Sequence, residues 1–383
     1  MKFIPYSRQW IDNEDIKSVI EVLKNDWVTR GPKIDEFELA ICNYTGAKYA
    51  VVFSSGTAAL HAAYFVAGIG IDDEIITSPL TFISTSNAAL FLGAKPVFAD
   101  IESNTGNLDS QKIEPLFISG KTKAIVPIDF AGHPVDLERI NSIAHALGIL
   151  VIEDACHALG SKFQNEKIGN CKYSDMTIFS FHPLKAITTG EGGAITMNNK
   201  IFYERLKMFR RLGITKNPTE FKIKNYPGEW YSEMQLLGYN YNLTDFQAAL
   251  GISQLNKLDK FIERRRQIAK IYSNVFSQNP YLDLPIEKFY AYSSWHLYPI
   301  RLKKEYKTKR KQVFDELRGQ GLGVQVHYSP IYRHPYYQEL GYPVSDCPIA
   351  EDFYDREISI PIYPKMTDAN VQQVVKIIQE VKL

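Results

Sequence analysis

The sequence is poor in the features that mark out most specialised classes of protein. Of its 383 residues only four are cysteine, Cys42, Cys156, Cys171 and Cys347, widely separated and without a CxxC spacing. That argues against a disulfide framework and a cysteine zinc site, and it fits a reducing cytoplasm. There is no excess of charge of one sign, with Lys+Arg 44 against Asp+Glu 43. No polybasic surface is therefore available for nucleic acid or an anionic membrane, and a phosphate-bearing ligand has to be held by a local site. No stretch approaches the ~18–20 unbroken apolar residues of a membrane span. The opening MKFIPYSRQWIDNED lacks the apolar run of a signal peptide. Internal repeats and low-complexity tails are missing as well.

What is present is the composition of an ordinary globular enzyme, 45% hydrophobic and 23% charged. The length predicts a large α/β domain, residues 1–255, and a smaller C-terminal α+β domain, residues 256–383. IDNEDIKSVIEVLKN (11–25), N-capped by Asp12, and KIDEFELAICNYTG (33–46), stopped at Gly46, have helical spacing. From residue 48 strands alternate with helices. KYAVVF, EIITSP, KPVFAD, KAIVPIDF and ILVIEDA are the strands. TAALHAAYFVAG (57–68), TFISTSNAALFLG (81–93), LDSQKIEPLF and VDLERINSIAHALG (135–148) are the helices. Short strands apolar on both faces predict a mostly parallel sheet covered on both sides, with ligands at its carboxyl edge. GGAITMNN predicts one more strand and IFYERLKMFRRLG a helix. The irregular, aromatic-rich 214–238 reads as a functional or interface loop. Residues 243–276 read as one long helix bent near Gly251 or Asp259. WHLYPIRL and LGVQVHYSP read as strands of the smaller domain, and KTKRKQVFDELRGQG and TDANVQQVVKIIQEVK as its helices.

The chemistry concentrates in FSFHPLKAITTGEGG (179–193), a strand that stops and gives way to a loop with one lysine, Lys185. ILVIEDACHALG (149–160) ends a second buried strand on Asp154. A lysine and an acid at two strand ends suit pyridoxal 5′-phosphate (PLP). The lysine attaches the coenzyme covalently, and the carboxylate keeps its pyridine nitrogen protonated. His157 would lie against the ring or its phenolic oxygen. In SSGTAAL (54–60), Gly56 lets the backbone approach a phosphate, while Thr57 adds an N–H and a hydroxyl at a helix start. Ser180 supplies another hydroxyl, and Phe82 either stacks on the ring or packs in the core. Taken singly, each of these residues also has a plain structural reading: a surface lysine, an ion-paired acid, a satisfied histidine, an ordinary αβ turn.

Together, SSGTAAL, TFISTSNA, IEDACHALG, FSFHPLKAITTGEGG, GYNYNLTDFQAALG and VQVHYSPIY resemble the sugar aminotransferases of the DegT/DnrJ/EryC1/StrS family, in the family's order and over nearly the whole chain. The resemblance implies the PLP-dependent fold type I (aspartate aminotransferase-like) architecture and a homodimer with active sites at the interface. It implies PLP on Lys185, Asp154 on the pyridine nitrogen, His157 near the ring oxygen, and Gly56, Thr57 and Ser180 on the phosphate. Phe82 stacks on the ring, and Asn240 reaches the partner subunit's phosphate. Tyr6, Arg30, Lys33, His327, Tyr328 and Tyr332 fall where the family handles substrate. Asn242 stands where relatives often carry arginine. Within the family the chain looks most like the pseudaminic acid branch. That implies a cytoplasmic transaminase acting at C4 of UDP-4-keto-6-deoxy-N-acetyl-L-altrosamine with L-glutamate as donor. Amination of another UDP- or dTDP-keto sugar, at C4 or C3, and a non-catalytic PLP-binding regulator are the alternatives.

Overall fold

Strands that are apolar on both faces need cover on both faces, and the computed structural model shows how that cover is supplied. It describes residues 3–25, 27–344 and 346–381. The main sheet has seven strands: β1 (Tyr49–Phe53), β2 (Glu74–Thr77), β3 (Lys95–Phe98), β4 (Thr122–Val126), β5 (Leu150–Asp154), β6 (Met176–Ser180) and β7 (Gly193–Met197). Their order is β1-β7-β6-β5-β4-β2-β3. Pairings from β3 through to β6 are parallel, whereas β7 runs antiparallel to both β6 and β1. Alternate residues enter opposite cores. Val52, Ile76, Ile125 and Val151 face one cluster, and Val51, Ile75, Val126 and Ile152 face the other.

Helices α1 (Asn13–Leu23) and α2 (Pro32–Thr45) precede the sheet. Asp12 caps α1 in a reciprocal box with Asp15, and Gly46 ends α2 in the left-handed region at φ 88°. Two more, α3 (Gly56–Val66) and α4 (Ser84–Leu90), follow β1 and β2. Then come α5 (Leu137–Leu147) and α6 (Lys200–Phe209). Because β1, β2, β5 and β6 point the same way, Ser55, Thr81, Asp154 and Ser180 arrive along one edge of the sheet. β7 starts at that edge, with Gly193 opposite both Phe53 and Ser180.

Several elements differ from expectation. LDSQKIEPLF forms two 3-10 turns, Ser110–Lys112 and Glu114–Leu116, because Pro115 cannot donate the bond a continuous helix needs. Residues 214–238 are irregular apart from a pairing of Ile214–Thr215 with Glu233–Met234 and a 3-10 turn at Pro218–Glu220. The expected bent helix is two helices, α7 (Asp245–Leu255) and α8 (Leu258–Phe276), and the break lets both Leu255 and Leu258 enter the first core. LGVQVHYSP is not a strand. Gln325 makes one bridge to Ser359, and Leu322 makes one to Ile4.

The second core lies around an antiparallel sheet of β8 (Leu282–Asp283), β9 (Tyr298–Leu302) and β10 (Glu357–Ile360). It is covered by α9 (Arg310–Gly319) and α10 (Asp368–Glu380). The two cores share α8, whose Leu258 and Ile262 pack on the first while Ile268, Tyr272 and Phe276 pack on the second. Ile4 also joins the second core, so the chain's early residues pack with its late ones.

A buried ion pair locks the large sheet to its helices. Arg210 Nη1 lies 2.6 Å from Glu38 Oε1 and also donates to Val52 O, while Val52 N donates to the same carboxylate. Removing one partner strands a buried charge, a loss of about 3–5 kcal/mol. Arg210→Met is expected to lower unfolding free energy by about that amount in a urea titration, and adding Glu38→Gln should recover part of it.

Candidate active site

A cavity of about 680 Å³ opens at the carboxyl edge of the sheet, within the range of small-molecule sites. Its floor is Asp154, only 4% exposed. Thr85 Oγ1 donates to Asp154 Oδ2 at 2.6 Å, and Cys156 N donates to Oδ1 at 3.2 Å. Thr81, about one helical turn before Thr85, lies 3.0 Å away through its own hydroxyl. Both donors to the acid are neutral and each oxygen takes only one, so the carboxylate keeps acceptor sites free and its charge is left for a cation to balance.

Lys185 reaches the same cavity from the arch between β6 and β7. The arch is closed by Phe181 N to Gly192 O at 2.8 Å and by Thr189 N to Phe181 O at 3.0 Å. Lys185 N is held by His182 O at 2.9 Å. Among the described residues no side chain accepts a hydrogen bond from its Nζ. Burial lowers the lysine's proton affinity below the ordinary range, against the opposing pull of Cys156 and Asp154. A neutral amine is the nucleophilic and basic form.

The third part of the cavity is the start of α3. Ser55 Oγ accepts from Ala58 N at 3.1 Å, and the first-turn N–H groups at Gly56 and Thr57 have no intrahelical partner. A Cβ at Gly56 would lie 3.0 Å from Ser180 Cβ and 3.2 Å from Ser180 Oγ, filling the space between turn and hydroxyl. Thr57 Oγ1 stands 2.7 Å from Ser84 Oγ. N–H groups and hydroxyls around a glycine gap suit a phosphate. The chemistry of these donors fits PLP at both ends: an acid for the ring nitrogen, an amine beside the ring, and an anion cradle.

The walls are aromatic and imidazole groups. His157 Nε2 lies 3.2 Å from Tyr328 OH, and its ring centroid is 4.3 Å from that of His296. Burial, reinforced by Lys185 and His327, holds His157 well below the usual imidazole range. Tyr6 and His327 face each other at 5.5 Å between ring centroids. Phe82 is 56% exposed at the rim, 6.2 Å from Tyr328. That exposure disposes of the core-packing reading and leaves its ring free to stack.

Ten of the sequence-derived residues therefore line one space: Gly56, Thr57, Phe82, Asp154, His157, Ser180, Lys185, Tyr6, His327 and Tyr328. Four lie elsewhere. Tyr332 is 1% exposed, sealed among Leu80, Phe130 and Phe353, and borders a separate cavity. Arg30 is exposed, on a turn whose neighbour Gly31 is pinned by Asp245. Lys33 pairs with Glu36. Asn240 is exposed and accepts from Asn242 Nδ2 at 2.7 Å. Sequence reasoning missed Thr85 and His296. The four-residue spacing of Thr81 and Thr85 was the available signal for the first, and the polar residue before the apolar LYPI run for the second.

This architecture is that of the sugar aminotransferases. Helicobacter pylori PseC, an aminotransferase involved in the biosynthesis of pseudoaminic acid, matches with a TM-score of 0.91 and 36% identity, over 98% of each chain. The PLP-form of the Streptococcus pneumoniae putative sugar aminotransferase Spr1654 matches with a TM-score of 0.89 and 29% identity, over 98% of this chain and 97% of that one. The profile of the DegT/DnrJ/EryC1/StrS aminotransferase family matches residues 9–379, and the chain belongs to that family of PLP-dependent enzymes. A Campylobacter jejuni UDP-4-amino-4,6-dideoxy-N-acetyl-beta-L-altrosamine transaminase is 43% identical over 366 residues, 95% of this chain and 93% of that protein. No helix among the described residues is long and apolar enough to cross a membrane.

Thr85→Val deletes a hydrogen bond to a charged carboxylate, about 1.5–3 kcal/mol. PLP retention, followed by absorbance during dialysis, is expected to weaken about ten-fold or more while the fold is kept.

Proposed function

We propose that this chain transfers the amino group of L-glutamate to C4 of UDP-4-keto-6-deoxy-N-acetyl-L-altrosamine, with PLP held covalently through Lys185. The observation that carries the reading is that Lys185 and Asp154 face one cavity, the amine with reduced proton affinity and the acid held only by neutral donors. The substrate is supported by the 43% identity to the Campylobacter jejuni transaminase. When bound, PLP supplies an electron sink that stabilises negative charge on the carbon losing its proton.

The chain's own residues do the rest. Asp154 accepts the pyridine N–H, with Thr85 and Cys156 N fixing the carboxylate plane. Gly56, Thr57 and Ser180 hold the phosphate, and Phe82 covers the ring from the rim. Lys185, released as a free amine, takes the proton from glutamate Cα and later returns one to sugar C4 from the same side. That single direction of delivery fixes the configuration of the product. His157, steadied by Tyr328, borders the ring oxygen, while Tyr6, His327 and Tyr328 line the space left for the sugar. Arg30 and Lys33 offer positive charge for the nucleotide diphosphate. Asn240, exposed and outside the lining of its own cavity, serves the partner's phosphate in a homodimer. Nucleotide sugars and glutamate are cytoplasmic metabolites, which fits a cytoplasmic enzyme.

Lys185→Ala is expected to cut kcat/KM by about 10²–10⁴-fold, measured as 2-oxoglutarate released with UDP-4-keto sugars of the altrosamine and glucosamine series. Turnover near the wild-type rate would refute the role of Lys185, and faster amination of another keto sugar would move the substrate. For the dimer, Lys185→Ala and Asn240→Ala chains, each impaired alone, should regain activity after subunit exchange, since one mixed site then has both residues intact. No regain would place Asn240 in its own chain's site or outside catalysis.

A further inference from the structure

One wall of the cavity is backed by a closed circuit of hydrogen bonds. His327 Nδ1 lies 2.8 Å from Ser359 Oγ. Ser359 Oγ is 2.5 Å from Glu357 Oε1. Glu357 Oε2 accepts from the backbone N–H of His327 at 2.7 Å. Glu357 and Ser359 are two residues apart on β10, hence on one face of the strand, and both are 0% exposed. His327 Nε2 has no protein partner among the described residues, and the ring borders the cavity.

Burial, with a smaller contribution from Lys185, pushes the His327 pKa down to about 3. The imidazole is thus neutral near physiological pH and carries one ring proton, on Nδ1 or on Nε2. Glu357 decides which. An ionised Glu357 accepts a hydrogen bond from the Ser359 hydroxyl, so Ser359 Oγ accepts from Nδ1–H and Nε2 offers a lone pair to the cavity. A protonated Glu357 donates to Ser359 Oγ, the hydroxyl then donates to Nδ1, and Nε2 carries the hydrogen.

Burial raises the Glu357 pKa to about 8, although Ser359, the His327 N–H and the cations Arg310 and Arg301 all pull it down. Arg301 stands opposite Glu357 on β9. The neighbouring Arg356 is occupied by Asp283 and Asp352. The imidazole itself faces the Lys185 amine, the Tyr6 ring at 5.5 Å and the Tyr328 ring at 4.8 Å.

We propose that Glu357 and Ser359 are positioning residues that switch the tautomer of His327, presenting the ligand with a donor when Glu357 is protonated and an acceptor when it is ionised. The proton balance is simple. Ionisation releases one proton from Glu357 to solvent, the hydroxyl turns, and the ring proton passes from Nε2 to Nδ1 through water in the cavity. The inference rests on the reading of this cavity as the coenzyme and sugar site. There a donor at Nε2 recognises a ketone or hydroxyl oxygen of the sugar.

The test uses the PLP-loaded full chain labelled with ¹⁵N-histidine, its His327 signal assigned by loss in His327→Gln. From about pH 6 to about pH 10, the ring nitrogens should pass from the Nε2–H to the Nδ1–H pattern with a midpoint near that of Glu357. Glu357→Gln should stay in the Nε2–H form throughout, because its amide donates to Ser359 while its oxygen still accepts from His327 N–H. In Ser359→Ala the tautomer should no longer follow pH. KM for the keto sugar should rise about three- to ten-fold across the transition in wild type and stay flat in Glu357→Gln. A single wild-type tautomer over the whole range, or a Glu357→Gln protein that titrates like wild type, overturns the proposal. Should Ser359→Ala prove unfolded by its melting curve, Glu357→Gln alone decides. If the tautomer follows Glu357 but no keto sugar is aminated, the switch stands and the functional reading falls.

Discussion

A carboxylate that burial makes costly sets the arrangement of the carboxyl edge. Asp154 is enclosed, and its two oxygens are held by a threonine hydroxyl and a backbone N–H, neither carrying charge. Two further acids lie close by in the interior, Asp129 and Glu153. Burial holds both above the ordinary carboxylate range, which favours their neutral forms and limits like-charge repulsion at the sheet edge. Glu153 is further tied to Thr177 and Ser174. The same enclosure acts with opposite sign on Lys185, where it disfavours the ammonium. Low polarity at one spot thus yields an acid in search of a cation and an amine ready to react.

The cavity has contributors from both cores. Thr57, Asp154, Ser180 and Lys185 come from the large sheet's edge, while His327 and Tyr328 come from the segment beside β10. The two halves are joined by α8, which is embedded in both cores, and by Ile4, which crosses from the beginning of the chain to the second core. The width of the cleft is therefore tied to the packing of one continuous helix rather than to a loose linker.

Much of this was legible in the sequence because the signals were physical and local. Apolar runs bounded by glycine gave the strands, and the strand ends gave Asp154, Ser180 and the Lys185 loop. The antiparallel direction of β7 was not legible, since GAITM is buried on both faces and such a strand reads the same either way. LGVQVHYSP alternates like a strand, but it lies along the cavity wall and pairs with the β10 backbone at one residue, Gln325, its other bonds to that strand running through the side chains of Glu357 and Ser359. Thr85 was hidden in a run of small hydroxyl residues in which nothing distinguishes the one that meets Asp154. Tyr332 looked like its neighbour Tyr328, yet a 3-10 turn at Ile331–Arg333 carries it into the interior. Arg30 and Asn240 are exposed and Lys33 pairs with Glu36, and nothing local in the sequence says that these three lie outside the cavity.

The arch that carries Lys185 has both feet fixed, since Ser180 and Gly193 are directly paired in adjacent strands and Phe181 is tied to Gly192. Its shape is held by main-chain bonds and by Thr188 and Thr189, none of which involves the lysine side chain. Position 185 is accordingly a socket: the frame keeps its form whatever is plugged into it. The fold of the loop and the identity of the side chain it presents to the cavity are thus separate matters, carried by different atoms.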